Sequence, residues 1–195
     1  MNPVPNEPAT VYFTKTITPQ RLVDIYTKVG KTLTGNVACK VHSGEDGGVN
    51  YLKPEYFKDI VKHVNGTICE CNAAYSGARD TTEKHWQLME THEWISNFGR
   101  ERIDIMDEDG YDTLEISDGF KIKENYVGSH MKNYDAMVVL ARFKGHPRGG
   151  YGGALKQLSI GCGSPEGKAY QHTAGKTKDP KEMFTKLATQ EDFMD

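Results

Sequence analysis

The spacing of apolar residues along the chain predicts helices that alternate with strands. In the first helix, apolar side chains recur three or four positions apart behind Thr18, which can cap it, and Pro19, which suits the first helical position. Gly30 or Gly35 is expected to end this helix. By the same reasoning we predict further helices over residues 54–66, 83–98 (capped by Thr82) and, after Asp179 and Pro180, 181–190.

Short β-branched or apolar runs between these helices predict strands. They cover residues 11–13, 36–42, 67–72, 102–106, 112–117, 120–122 and 135–143, the last of which has the strongest pattern for a buried strand. This alternation predicts an α/β fold, with a mixed, partly parallel sheet flanked by helices and glycine-rich loops at the strand carboxyl ends. We expect one domain over residues 11–195 and an extended, proline-containing arm over residues 1–10.

Three of the glycine-rich loops directly follow predicted strands, at residues 42–48, 72–80 and 144–153. In an open parallel sheet the loops at the carboxyl ends of the strands lie along one edge, where ligands bind. We therefore expect these loops to contribute side chains to one crevice: His42, Glu45, Tyr75, Arg79, Lys144 and His146.

Residues 141–176 form a basic segment in which Glu166 is the only acidic residue, although the chain has a net charge of -3. Glycine lets backbone N–H groups turn toward a ligand, and successive N–H groups favour anions. We predict an anion site here, although no standard phosphate-binding motif is present and a solvated basic loop is the alternative. Candidate catalytic residues are Lys144, His146, Lys156 and His172; candidate ligand-binding residues are His42, Glu45, Tyr75, Arg79, Gly152, Gly153 and Lys168.

Composition argues against several classes of protein. Lys and Arg number 24 and Asp and Glu 27, so a general nucleic-acid or membrane-surface binder is not expected. The mean hydropathy is -0.63, and no apolar run approaches the length of a membrane span. The first residues have no basic region followed by an apolar stretch, so no signal peptide is predicted. We expect a soluble, cytoplasmic protein.

The cysteines and histidines permit metal sites without favouring them. The four scattered cysteines argue against a disulfide framework, and the absence of a C-x-x-C pair argues against a zinc ribbon. Cys39, Cys69 and Cys71 are interpreted as small buried residues rather than cluster ligands, and Cys162 as an exposed turn residue that nearby cations would activate if it were reactive. His42, His146 and His172 with Glu45 are an alternative metal site, but their spacing does not enforce one, so no metal ligand is assigned.

Lys40 and Glu70 interrupt the apolar runs of two predicted strands. Two interpretations stay open at this point. They form a partly buried ion pair, or they mark a solvent-facing side of the sheet.

Several segments together resemble a known family. They are KVHSGEDGGVNYLKPEY, NAAYSGAR, DEDGYDTLEI, FKGHPRGGYGGALK and IGCGSPEGKAYQH, in that order. The chain resembles domain-of-unknown-function family 362 from about residue 11 to about residue 185. The resemblance implies an α/β domain. Longer members are described as uncharacterised iron–sulfur centre proteins, and many have a ferredoxin-like segment that would bind a 4Fe-4S cluster. This sequence has no ligand set for such a cluster. It is either a naturally short member of the family or truncated on its C-terminal side, and we favour the second.

We therefore expect an α/β protein that binds an anionic small molecule or cofactor in a crevice rich in Lys, His and Gly. The sequence does not identify the cofactor. It also leaves open whether the protein is a redox-associated enzyme. The alternatives are a non-catalytic binding or assembly module that uses the basic loop, and a His-ligated metal protein. The partner expected is an anionic small molecule, with no nucleic acid and no membrane, and a homo-oligomer is a further option.

Overall fold

A computed structural model describes residues 8–194 and centres on a four-stranded parallel sheet. The sheet has the strand order β3-β2-β1-β6. Its strands are β1 (Val37–Lys40), β2 (Thr67–Glu70), β3 (Ile103–Ile105) and β6 (Ala136–Val139). Two antiparallel ribbons lie outside it: β4 (Tyr111–Glu115) with β5 (Glu124–Gly128), and β7 (Gly145–His146) with β8 (Gly150–Tyr151). The predicted α/β fold is confirmed.

Helices connect the strands. They are α1 (Pro19–Val29), α2 (Lys58–His63), α3 (Thr82–Thr91), α4 (Trp94–Phe98), α5 (Ala154–Leu158), α6 (Pro165–His172) and α7 (Gln190–Met194). Short 3-10 turns cover Pro54–Phe57, Arg100–Arg102, Ser129–Asn133, Ile160–Cys162 and Met183–Thr185. No helix within residues 8–194 is both long and apolar enough to cross a membrane.

The first helix begins and ends as predicted. Thr18 accepts a hydrogen bond from the backbone N–H of Arg21 at 3.3 Å, and Pro19 opens the helix. Gly30 follows the last turn with φ 69°, a left-handed conformation that glycine adopts without steric cost. The local residues alone account for both ends of this helix.

The sheet separates two apolar layers because successive side chains of a strand point to opposite faces. Val37, Cys39 and Val41 pack into the larger cluster, with Trp94 and the apolar side of α2. Ala38 points the other way, into a smaller cluster: Ala38, Cys69, Cys71, Met106 and Cys162.

Three predicted elements at the N-terminal and middle parts of the chain are wrong. Residues 11–13 form no strand, and Val11 and Phe13 are exposed. The third helix is two helices, α3 and α4, because Glu93 adopts φ 64° between them; Thr81 caps α3 in place of Thr82. Residues 120–122 form no strand, since the partner of β4 is β5. The predicted N-terminal arm lies outside the described residues except at residues 8–10.

The C-terminal third differs most from prediction. Residues 154–158 and 165–172 are helical, so the basic segment is not one long loop. The helix predicted after Asp179 and Pro180 is reduced to the 3-10 turn Met183–Thr185. The strand predicted at residues 135–143 is β6 alone, and it is half-buried.

The strand order creates a crevice beside the central strand. β1 pairs in parallel with β2 on one side and with β6 on the other. The chain leaves β1 to build the sheet toward β3 and later returns to the opposite side with β6. Loops therefore diverge where β1 and β6 end, which is where open parallel sheets bind ligands.

Candidate functional site

A cavity of about 460 Å³ lies at the carboxyl ends of β1, β2 and β6. Residues from the loops after all three strands line it, together with residues of α5 and α6. Every candidate residue named from the sequence is among the lining residues: His42, Glu45, Tyr75, Arg79, Lys144, His146, Gly152, Gly153, Lys156, Lys168 and His172. The structure thus brings these residues together, while their roles stay predictions.

Glu70 forms the buried acidic centre of the cavity wall. It is 3% exposed, and its Oε1 accepts a hydrogen bond from Arg79 Nη1 at 2.8 Å. Its Oε2 accepts one from the backbone N–H of Ser43 at 2.9 Å and lies 3.3 Å from His85 Nε2. Burial favours the protonated acid, but the Arg79 guanidinium and His85 hold the pKa of Glu70 well below its usual range. Glu70 is therefore a carboxylate at neutral pH.

Arg79 connects this buried carboxylate to the open part of the cavity. Its Nη2 donates to Glu45 Oε1, which also accepts a hydrogen bond from the Tyr75 hydroxyl at 3.0 Å. His42 lies beside both carboxylates, 3.7 Å from Glu70 Oε1 and 3.8 Å from Glu45 Oε1. Because the single charge of Arg79 is shared between the carboxylates of Glu45 and Glu70, this group carries a net charge of about -1 when His42 is neutral.

His42 is held as a neutral acceptor. Its Nδ1 accepts a hydrogen bond from the backbone N–H of Gly44 at 3.1 Å, so the ring proton lies on Nε2. Burial lowers the pKa of His42 to about 4, Glu70 opposes this, and Arg79 and Lys40 add to it. The ring is uncharged at neutral pH.

Lys40 and Lys168 are buried amines that also line the cavity. Lys40 is 1% exposed, and its Nζ donates to the Val41 carbonyl at 2.8 Å and to Gln157 Oε1 at 3.1 Å. Lys168 is 8% exposed and donates to the Gly163 carbonyl. Neither ammonium has a carboxylate oxygen within 4.0 Å among residues 8–194.

This geometry contradicts both interpretations of Lys40 and Glu70 that the sequence left open. The two side chains are fully buried, so they do not mark a solvent-facing side of the sheet. They do not pair with each other either, because Glu70 is bound to Arg79 and Lys40 to two neutral oxygens. The expected ion pair is therefore wrong.

Burial also affects the other amines of the cavity. Burial lowers the pKa of Lys168, although Cys71 and Asp107 act in the other direction. Burial likewise lowers the pKa of Lys156, and the neighbouring cations Lys144 and Lys168 lower it further. Lys156 is half-buried, whereas Lys144 is exposed at the rim.

His146 and His172 present opposite tautomers. His146 Nδ1 accepts hydrogen bonds from the backbone N–H groups of Arg148 and Gly149 at 3.3 and 3.1 Å. His172 Nδ1 lies 2.7 Å from the Lys168 carbonyl, which can only accept, so this nitrogen carries the proton and Nε2 keeps its lone pair. Burial lowers the pKa of both rings; for His172 the hydrogen bond to the Lys168 carbonyl opposes this, and Lys156, Arg148 and His146 add to it. His172 is therefore neutral at neutral pH, with a lone pair on Nε2.

The cysteines do not fit an iron–sulfur cluster. Cys39 packs on one face of the sheet, and Cys69, Cys71 and Cys162 pack on the other. Burial raises the pKa of Cys39 to about 12 and raises the pKa of each of the other three thiols, while a cluster binds thiolates. Cys162 is fully buried, so the prediction that it is exposed is wrong.

The histidines of the cavity do not form a metal site either. Within residues 8–194, His42, His146 and His172 are not among any three side chains whose ligand atoms approach one another closely enough to bind one ion. The group that does meet this criterion lies elsewhere: Asp104, Glu108 and His130. There His130 already bonds Asp104 Oδ1 at 2.8 Å and Asp109 Oδ2 at 2.9 Å, so its ring nitrogens are occupied.

Sequence reasoning missed the residues that support the cavity wall. His85 is fully buried in α3 and contacts Asn72 Oδ1 at 3.0 Å as well as Glu70. Asp107 accepts hydrogen bonds from the backbone N–H of Asn72 at 3.0 and 3.1 Å. Glu70 could be singled out from the sequence because a charged residue interrupts the apolar run of its strand. His85 could not, because a single histidine on a helix does not indicate a buried contact.

The fold and the cavity define an α/β protein with a lysine-lined cavity at the switch point of a parallel sheet. A family model described as a domain of unknown function (DUF362) matches residues 37–192. The chain belongs to this family, as the sequence resemblance predicted. No curated protein and no solved structure matches it.

Proposed function

We propose that the cavity binds a small molecule that carries carboxylate or phosphate groups. The observation behind this proposal is that Lys40 and Lys168 are buried at its wall with no carboxylate oxygen within 4.0 Å among the described residues, although Asp107 acts on Lys168 at longer range. An unpaired buried charge costs several kcal/mol, on the order of 3–5 kcal/mol when a partner is removed from a buried pair. A bound anion supplies the missing counter-charge.

The charge of the whole lining supports the same ligand class. Six lining side chains are cationic by type, and two are carboxylates. The cations are Lys40, Arg79, Arg142, Lys144, Lys156 and Lys168, and the carboxylates are Glu45 and Glu70. Because both carboxylates contact Arg79, the excess positive charge lies on the lysine side. A cleft lined by one sign of charge concentrates ligands of the opposite sign.

The shape favours a metabolite over a docking partner. The volume of about 460 Å³ lies within the range of small-molecule sites, roughly 300–1,000 Å³. Tyr51, Leu52 and Phe57 line another part of the wall and give an apolar part of a ligand a place to pack. A flat basic face would have favoured the alternative of an assembly module. The alternative of a metal protein has no support, because the ligand atoms of the cavity histidines do not approach one another closely enough to bind one ion.

The cavity also holds groups for proton transfer. His172 has a free lone pair on Nε2 beside Lys156, whose charge contributes to its lowered pKa. We therefore propose an enzyme that acts on its anionic ligand, with Lys144 and His146 at the rim and Lys156 and His172 inside. An iron–sulfur cluster has no part in this proposal, because the cysteine thiols are scattered and protonated.

Replacing Lys168 by Met tests the proposal. Met keeps the length of the side chain and removes its charge, so Lys168→Met should bind anions about ten-fold more weakly or worse, since hydrogen bonds to charged groups are worth about 1.5–3 kcal/mol. The unliganded variant should be as stable as the unmodified protein or more stable, because an unpaired buried charge is gone. Calorimetric titration with phosphate, sulfate, citrate and pyruvate measures affinity, and thermal unfolding measures stability.

Lys28→Met is the matched control, because Lys28 is an exposed lysine in the last turn of α1 and does not line the cavity. It should bind each anion as the unmodified protein does. Equal affinities in the two variants, or no binding of any anion to the unmodified protein, would contradict the proposal.

A further inference from the structure

Lys156 differs from the other amines of the cavity. It lines the cavity from α5 and is half-buried, yet within residues 8–194 its Nζ has neither a hydrogen-bond acceptor nor an ion-pair partner. Lys40 and Lys168 each donate to protein oxygens, and Lys144 is exposed. Lys156 therefore offers a sheltered amine that nothing in the protein occupies.

We propose that Lys156 Nζ forms a Schiff base with the carbonyl carbon of an anionic aldehyde or α-keto acid bound in the cavity. This inference rests on the proposed function, because the carboxylate of such a ligand needs the neighbouring cations. It adds the reactive group of the ligand and the nucleophile that attacks it.

The surroundings of Lys156 favour its neutral form. An amine is a nucleophile only when it is unprotonated, and desolvation or an adjacent cation achieves this at neutral pH. Both conditions are met at Lys156. Burial is the main cause that lowers the pKa of Lys156, and the charges of Lys144 and Lys168 lower it further. A glutamate or aspartate beside the amine would reverse the effect, and none lies within 4.0 Å of it among the described residues.

The reaction balances with the groups present. Nζ attacks the carbonyl carbon, and the resulting carbinolamine loses water to give the imine. The two hydrogens of the neutral amine leave with the carbonyl oxygen as that water. His172 Nε2 can accept a proton from the attacking nitrogen and return it to the departing oxygen, because Nδ1 is committed to the Lys168 carbonyl. No oxidant or reductant takes part.

The ligand class follows from the distribution of charge. The imine forms at Lys156 Nζ. Lys168 and Lys40 line the same cavity and attract a carboxylate that is bonded directly to the carbonyl carbon. Two-carbon and three-carbon acids such as glyoxylate and pyruvate fit this description and leave most of the cavity free. Larger keto acids would use the apolar wall near Tyr51 and Phe57.

Reductive trapping provides the test. The full chain is incubated with glyoxylate and cyanoborohydride at neutral pH, digested, and mapped by peptide mass spectrometry. We expect a carboxymethyl group on Lys156 at least ten-fold more often than on exposed Lys28, and we expect sulfate to suppress it by competition. Lys156→Met should lose this adduct and bind pyruvate more weakly in a calorimetric titration, because the covalent bond can no longer form.

Other outcomes separate this inference from the proposed function. Equal labelling of Lys156 and Lys28, or labelling concentrated on Lys144 or Lys168, would overturn the Schiff-base inference. The proposed function would still hold if the unmodified protein bound anions. Absence of any anion binding would overturn both. If Lys156→Met were unfolded, Lys156→Arg, which keeps a cation but is not nucleophilic, would provide the same comparison.

Discussion

At the scale of single residues, the cavity depends on how two kinds of buried charge are compensated. Glu70 is surrounded by donors, with the Arg79 guanidinium on one oxygen and the Ser43 N–H on the other. Lys40 and Lys168 have only neutral oxygens. The first arrangement is complete within the protein and stabilises the fold, while under the proposed function the second becomes complete only when an anion binds. The proposal therefore divides the cavity into a structural part and a ligand-binding part.

Glu70→Gln should be strongly destabilising. It leaves Arg79 buried with only the half-exposed Glu45 as a counter-charge, and breaking a buried pair costs about 3–5 kcal/mol. Glu45→Gln is the matched control, because its side chain is 43% exposed and screened by solvent, so about 1 kcal/mol or less is expected. Urea unfolding at neutral pH measures both. Similar small losses in the two variants would show that Glu70 has no special structural part.

At the scale of elements, α6 positions two cavity residues, Lys168 and His172, through close packing against β5. A Cβ on Gly167 would overlap the carbonyl oxygen of Tyr126, so only glycine allows this approach. Ser164 caps the helix by accepting from the Gly167 N–H at 3.2 Å, and Pro165 opens it.

Gly167→Ala should therefore displace α6 and weaken anion binding together with stability, by roughly 1–3 kcal/mol as expected for overpacking. Gly77→Ala is the control, since a Cβ at Gly77 meets nothing within 4 Å and its φ is not in the left-handed region; a change within about 0.5 kcal/mol is expected. Thermal unfolding and calorimetric titration with phosphate check both. Normal binding by Gly167→Ala would mean that α6 does not set the position of Lys168.

The elements also show what the sequence could predict. The ends of α1 followed from Thr18, Pro19 and Gly30, which act on their immediate neighbours. The break at Glu93 was not predictable, because a non-glycine residue takes a left-handed conformation only where tertiary packing requires it. α6 was missed because glycines weaken its periodic pattern, although Ser164 and Pro165 were a usable start signal. The cavity lining was predictable from the topology of a parallel sheet, whereas the partners of Glu70 and Lys40 depend on tertiary contacts.

At the scale of the whole molecule, folding should depend on pH through the groups of the cavity. His42 has a folded-state pKa of about 4 against an ordinary value of 6.5, so its contribution to stability is full above pH 6.5 and is lost as pH falls toward 4. The pKa of Glu70 is also lowered on folding, so its contribution is present above the ordinary value of 4.5 and is lost at more acidic pH.

We expect the free energy of unfolding to fall steadily between pH 6.5 and 4 and more steeply below 4.5. His42→Gln should flatten the upper part of this curve and leave the lower part unchanged. Urea unfolding at a series of pH values, with the same buffer ions throughout, tests this. An unchanged slope between pH 6.5 and 4 in the variant would contradict the assignment to His42.

The pairing of β1 with β6 has a consequence for how the protein is made. Asn36, just before β1, donates to Asp135 Oδ2 at 2.7 Å across 99 residues of chain. During translation at about 5–20 residues per second, β1 therefore waits roughly 5–20 s before its second neighbour leaves the ribosome. Throughout that interval one edge of the central strand is open to other nascent chains, and the proposed ligand cannot assist, because Lys156 and Lys168 have yet to be synthesised.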